Sequence, residues 1–111
     1  MNEMEYLIDR LSEVEIHYLI EKYDLDSKSR EREKVTLRSE LCARLRANTD
    51  LSFSQIGRLF NRDHSNVIHS CKVIDNYRKT NDYYYKQFMK EYRDELININ
   101  YAPFKQIIYD K

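Results

Sequence analysis

One glycine, Gly57, and one proline, Pro103, serve a chain of 111 residues. Hairpin turns and strand ends draw on these two residues for positive φ and for chain reversal. Their scarcity excludes an all-β architecture and predicts an all-α fold, a small helical bundle. A single glycine also excludes a Gly-rich phosphate loop, and with it a P-loop ATPase or a dinucleotide-binding turn. The length suits one domain spanning 1–111, and 41% hydrophobic with 34% charged residues is a mixture that packs rather than stays disordered. No apolar run approaches the ~18 residues of a membrane span, and the acidic stretch Met1 to Tyr6 lacks a signal-peptide pattern. Two cysteines, Cys42 and Cys71, are too few for a disulfide scaffold. A reduced cytoplasmic protein with no membrane partner is expected.

The formal net charge is +0, yet the charges are segregated. Residues 1–26 carry two cations and eight carboxylates, a balance of −6. Residues 27–80 carry twelve cations and six carboxylates, a balance of +6, and residues 81–111 carry five of each. A basic middle third is where a polyanion would dock. The competing reading is that the acidic and basic thirds neutralise each other within the fold.

Three parts follow from the pattern. Over 1–23, Met4, Leu7, Leu11, Val14 and Tyr18 recur at three- and four-residue intervals, with Ile8 and Leu19 widening the stripe. This predicts an acidic amphipathic leading helix from Glu3 to about Tyr23. The middle part, 24–80, opens with the exposed basic stretch Ser27 to Arg32. A helix follows over roughly Glu33 to Ala47, with Val35, Leu37, Leu41 and Leu45 inward and Arg38 and Arg46 emerging. Next, Ser52-Phe53-Ser54-Gln55 has the form of a capping box, and Leu51 with Ile56 that of a hydrophobic staple. A short helix therefore runs from Phe53 to about Phe60, burying Ile56, Leu59 and Phe60. Asn61-Arg62 breaks it, and Asp63 caps another helix with Val67, Cys71 and Ile74 on its inner side. His64, Ser65, Ile68, His69 and Lys72 lie opposite. Two short helices across a tight polar turn form a helix-turn-helix pattern. The last part, 81–111, holds a helix from Tyr83 to about Ile97, with Tyr85, Phe88, Met89, Tyr92 and Leu96 inward, and an Ile/Tyr-rich tail expected to pack on the body or a partner.

The run Ile56-Gly57-Arg58-Leu59-Phe60-Asn61-Arg62-Asp63-His64-Ser65-Asn66-Val67-Ile68-His69-Ser70-Cys71 resembles the C-terminal DNA-binding domain of the bacterial replication initiator DnaA. The likeness reaches back through Asp50-Leu51-Ser52 to Asp24-Leu25 and Ser27 to Glu33, covering about residues 24 to 78. It implies a helical bundle of the Trp-repressor type and binding to double-stranded DNA. It further implies that Asp63, His64, Ser65 and His69 read base edges in the major groove, where short donors and acceptors are effective. Arg30, flanked by Lys28 and Arg32, matches a minor-groove arginine, a cation drawn to narrow A·T-rich grooves. Arg38, Arg46, Phe53, Ser54, Asn66 and Lys72 fall at positions implied to meet the phosphate backbone. Three departures stand out. A single Asn61 replaces the two glycines of the family turn, and Asn66 and Val73 stand where the family has Thr and a basic residue. The family's ATPase domain has no counterpart here.

Other chemistry fits less well. A zinc site from His64, His69 and Cys71 is disfavoured because a spacing of five turns the imidazoles apart on a helix. Neighbouring Asp63-His64-Ser65 cannot converge as a triad. Cys42 and Cys71 read as core residues, and Tyr83-Tyr84-Tyr85 as core and interface before base-stacking platform. No enzyme, no cofactor, no metal and no small-molecule substrate are expected. Two function classes remain. One is a sequence-selective duplex-DNA binder, nucleoid-associated, in replication or transcription control. The other is a protein-interaction module or homodimer working through the acidic leading helix and the tail.

Overall fold

The computed structural model describes residues 14–104. Met4, Leu7, Ile8 and Leu11 of the leading stripe, and the tail after Phe104, lie outside the described residues. The elements run β1 (Val14–Glu15), α1 (Ile16–Tyr23), α2 (Arg32–Asn48), α3 (Phe53–Leu59), α4 (His64–Thr80), α5 (Tyr83–Ile97) and β2 (Ile99–Asn100), ending in a 3₁₀ turn at Ala102–Phe104. The fold is all-α, with one two-residue parallel bridge in which Val14 faces Ile99 and Glu15 faces Asn100. Among the described residues no helix is long and apolar enough to cross a membrane.

Within the described residues the leading helix differs from expectation in its continuity at Val14–Glu15 and in its phase. Its backbone is extended at Val14 and Glu15 and turns helical only at Ile16. A stripe carried through Leu11, Val14 and Tyr18 assumes an unbroken helix. With the helix begun at Ile16, the inward residues become Ile16, Leu19 and Ile20, and Tyr18 is 54% exposed. Elsewhere the pattern reads closely. α2 is one residue longer at each end than expected. Leu37, Leu41 and Leu45 are buried, and so is Cys42, but Val35, also expected inward, is only half-buried near the start of the helix. α5 runs from Tyr83 to Ile97 as expected, burying Tyr85, Phe88, Tyr92 and Leu96. On α4 the inner side is Val67, Ser70 and Ile74, while Cys71 and, on α3, Leu59 are only half-buried at the edge of the core. Tyr83, 76% exposed, leaves the aromatic cluster to Tyr84 and Tyr85.

Three helices end in the same way without glycine. Asp24 (φ 56), Asn61 (φ 56) and Asn81 (φ 54) take the left-handed conformation. In each case the next amide returns to a carbonyl five residues back: Leu25 to Ile20 (2.9 Å), Arg62 to Gly57 (2.8 Å) and Asp82 to Tyr77 (3.1 Å). This is the Schellman closure, which satisfies the last carbonyls of a helix. Asp and Asn populate the left-handed region more readily than other side-chain-bearing residues, so they stand in for glycine.

A polar network joins the helices behind this framework. Glu40 of α2 is fully buried. Its carboxylate accepts from Arg44 Nε (2.6 Å), from a guanidinium nitrogen of Arg78 (2.9 Å) and from the Tyr85 hydroxyl. A buried carboxylate is tolerated only when its charge and lone pairs are met in this way. Tyr92 donates to Glu33 and Tyr23 donates to Glu95, which ties α5 to α2 and α1.

Candidate nucleic-acid interface

The helix-turn-helix is built from local capping. Ser52 Oγ accepts from the Gln55 amide (3.1 Å) and Gln55 Oε1 accepts from the Ser52 amide (2.8 Å), which completes the capping box at the start of α3. Leu51 and Ile56 are both buried beside it. α3 closes through left-handed Asn61, and Asp63 Oδ1 accepts from the Asn66 amide (2.9 Å) to open α4. The chain turns in Phe60 to Asp63, and Asn61 supplies the required φ.

Gly57, the lone glycine, serves a different need. Its backbone has no positive φ. A Cβ built there would overlap the Arg62 carbonyl oxygen and lie 3.2 Å from the Arg62 carbonyl carbon. The residue is small so that the turn can fold back onto α3.

Around this turn lies an open hollow of about 720 Å³. Lys28, Ser29 and Arg30 form one wall. Asn61, Arg62 and Asp63 of the turn, with Ser65, Asn66 and His69 of α4, form the other. Lys28, Arg30, Asp63, Ser65, Asn66 and His69 are all exposed. With the buried Arg38, seven residues picked out along the chain thus line one concave surface. Its cations are Lys28, Arg30, Arg38 and Arg62, against one carboxylate, Asp63, which is engaged as a helix cap. His64 is exposed at the start of α4 but does not line the hollow.

The remaining expected residues are placed otherwise. Arg38 does not emerge as expected. It is 6% exposed, with a guanidinium nitrogen 3.4 Å from the Leu25 carbonyl oxygen, because α2 presents it toward the covering loop. Burial, and then the neighbouring Arg62 charge, lower its pKa from the ordinary value. Arg32 packs on the opposite side of the loop, its guanidinium carbon 3.6 Å from the centre of the Tyr84 ring. Arg46 is exposed, lies 4.4 Å over the Phe53 ring and donates to the Leu51 carbonyl (2.9 Å). Phe53 is half-buried, while Ser54 and Lys72 are exposed outside the hollow.

Arg62 is the residue that sequence reasoning passed over as a helix breaker. One guanidinium nitrogen donates to the carbonyls of Phe60 (3.2 Å) and Asn61 (3.1 Å), and the other donates to the Ser27 carbonyl of the basic loop. It therefore pins the loop carrying Lys28 and Arg30 to the turn that opens α4. Its place within the quoted motif was the available signal; its reach to Ser27 was not visible along the chain.

The family described as the bacterial dnaA protein helix-turn-helix matches residues 11–74. The match begins ahead of residue 24, so it takes in β1 and α1 as well as the middle part. Proteins named chromosomal replication initiator protein DnaA are similar to the chain. The one from Bacteroides fragilis is 37% identical over 59 residues, covering 52% of the chain and 12% of that protein. The one from Oleidesulfovibrio alaskensis is 49% identical over 56 residues, covering 50% of the chain and 12% of that protein. A third, from Bacteroides thetaiotaomicron, is 37% identical over 59 residues, covering 52% and 13%. The likeness therefore concerns about an eighth of each relative. No solved structure matches the chain. With the capped turn, the α3–α4 pair and a match over more than half of its length, the chain belongs to the bacterial DnaA helix-turn-helix family.

Proposed function

We propose that this protein binds double-stranded DNA sequence-selectively through α4 and the basic loop, as a non-catalytic accessory factor in replication or transcription. One observation carries the reading: Asp63, Ser65, Asn66 and His69, at and just beyond the start of α4, and the loop residues Lys28 and Arg30 line the same concave, cation-rich surface. In this reading α4 enters the major groove, with His64, Ser65 and His69 meeting base edges and Asp63 both capping the helix and facing the bases. Arg30 reaches the adjacent minor groove, and Lys28 and Asn66 sit on phosphates. Arg46, Ser54 and Lys72 would extend the phosphate contacts beyond the hollow. Arg38 and Arg62 act from beneath, by adding positive potential and by fixing the loop. The relatives' name, chromosomal replication initiator, supports a chromosomal site of action and a role linked to replication control.

The test is selection of bound duplexes from a random pool, followed by titration of the winner and of scrambled duplexes. His64→Ala and Ser65→Ala are expected to cost about 1–3 kcal/mol each on the selected site and to narrow its advantage over scrambled DNA. Arg30→Ala should weaken binding to both and flatten the dependence of log K on log salt. Absence of binding to any duplex at low salt would end the proposal.

A further inference from the structure

A second surface lies away from the hollow, where α5 meets the C-terminal half of α4; apart from Arg44 of α2, its lining residues fall beyond the family match. It is a groove of about 650 Å³ with an apolar floor that includes Tyr77, Met89 and Ile97 and a rim that includes Lys86, Lys90 and Arg93. Ile97 is 67% exposed, a large aliphatic side chain left in solvent at the groove's end. The carboxylate lining the groove, Asp82, is occupied in accepting from the Tyr85 amide (2.9 Å). Among the described residues, Lys86, Lys90 and Arg93 form no ion pair. An apolar floor with a cationic rim is complementary to an acidic amphipathic helix.

We propose that the groove is the docking site of this chain's own acidic leading segment, Glu3 to Glu13. Three observations meet here. The segment carries Glu3, Glu5, Asp9 and Glu13 against the single cation Arg10, and Met4, Leu7, Ile8 and Leu11 at helical spacing. The chain joins the body beside the groove's end: the Val14 amide donates to the Asn98 carbonyl (2.7 Å), and Val14 pairs in parallel with Ile99. In that register the chain preceding Val14 approaches from the side of Asn98 and Ile97. The spans also agree. A helix over Glu3 to Glu13 and the stretch of α5 from Lys86 to Ile97 each measure about 16 Å at the α-helical rise. The groove meets α4 at Tyr77, about 20 Å along the helix from His64, so its occupancy does not depend on the DNA-binding reading.

Hydrogen exchange on the full chain tests this. The amides of Tyr6 to Leu11 are expected to exchange at least about tenfold more slowly than in the free peptide of the same sequence. Reversing the rim with Lys86→Glu, Lys90→Glu and Arg93→Glu, all exposed positions, should abolish that protection while protection in α2 to α4 is kept. Adding Glu5→Lys, Asp9→Lys and Glu13→Lys to the reversed rim should restore it. Free-peptide rates in the unaltered chain, or protection that survives rim reversal, would overturn the proposal. Protection that rises with protein concentration alongside a dimer mass in light scattering would give the groove to a second copy and would also overturn it.

Discussion

Gly57 and Asn61 divide between them the work usually given to turn glycines. Asn61 supplies the left-handed φ, and Gly57 supplies the missing side chain under the Arg62 carbonyl. Two opposing effects meet at Gly57→Ala. Alanine in a helix gains about 1 kcal/mol over glycine, whereas forcing a methyl into a closed contact costs about 1–3 kcal/mol. The partner atoms are backbone of a capped turn, which cannot swing aside, so the steric cost dominates. A net loss of up to about 2 kcal/mol in urea unfolding is expected for Gly57→Ala; a more stable variant would show that the turn relaxes freely. Asn61 was legible as a turn former from its chemistry. The role of Gly57 was not, because its clash partner is defined only once α3 and the turn are in place.

At the scale of elements, side-chain caps set the boundaries and one arginine sets the relation between loop and helix. Ser52, Asp63 and Asp82 each accept from the amide three residues on and mark a helix start, and the caps at Ser52 and Asp63 were readable from local sequence. Arg62 joins three carbonyls from two separate segments. Hydrogen bonds from a charged donor contribute about 1.5–3 kcal/mol, so Arg62→Ala should raise the rate of limited trypsin cleavage after Lys28 and Arg30 by roughly tenfold. Arg62→Lys is expected to recover little, since one ammonium lacks the planar fork that spans Ser27 and Asn61. Unchanged cleavage in Arg62→Ala would mean that the loop is held by its own contacts alone. The leading helix shows the opposite case. There periodicity was misleading, because Val14 and Glu15 are extended and the helix takes its phase from Ile16, and the bridge to β2 joins residues far apart in sequence.

For the whole molecule, the buried phenols and thiol make stability sensitive to alkali. Burial pushes the Cys42 thiol up to about 12, and burial followed by a hydrogen bond to Glu40 raises the Tyr85 pKa. Tyr92 and Tyr23 are raised for the same first reason, with Glu33 and Glu95 as their acceptors. Each group has a folded pKa above its unfolded one. Its contribution is therefore complete below the unfolded value and is lost as pH rises through the window up to the folded value. Urea midpoints should be flat from about pH 7 to 8.5 and then fall, with Cys42 alone removing about 2 kcal/mol by pH 10.5. Equal stability at pH 8 and pH 10.5 would contradict this. Iodoacetamide should likewise modify Cys42 only at the rate of global unfolding, with half-buried Cys71 reacting first.

The all-α class, the capped helix-turn-helix, the buried leucines of α2, the main apolar residues of α5 and the family followed from sequence alone. They rest on local rules: glycine scarcity, helical periodicity, caps formed within three residues and a contiguous motif. The concave surface was only half legible, since the loop and α4 residues could be named but Arg62's role in joining them could not. Tertiary structure decided the rest. It buried Arg38 beneath the loop, turned Arg32 toward Tyr84, enclosed Glu40 among Arg44, Arg78 and Tyr85, and left a cationic groove along α5. Those outcomes depend on contacts between residues distant along the chain. Spacing within one helix records which side a residue is on, but not what the fold brings to meet it.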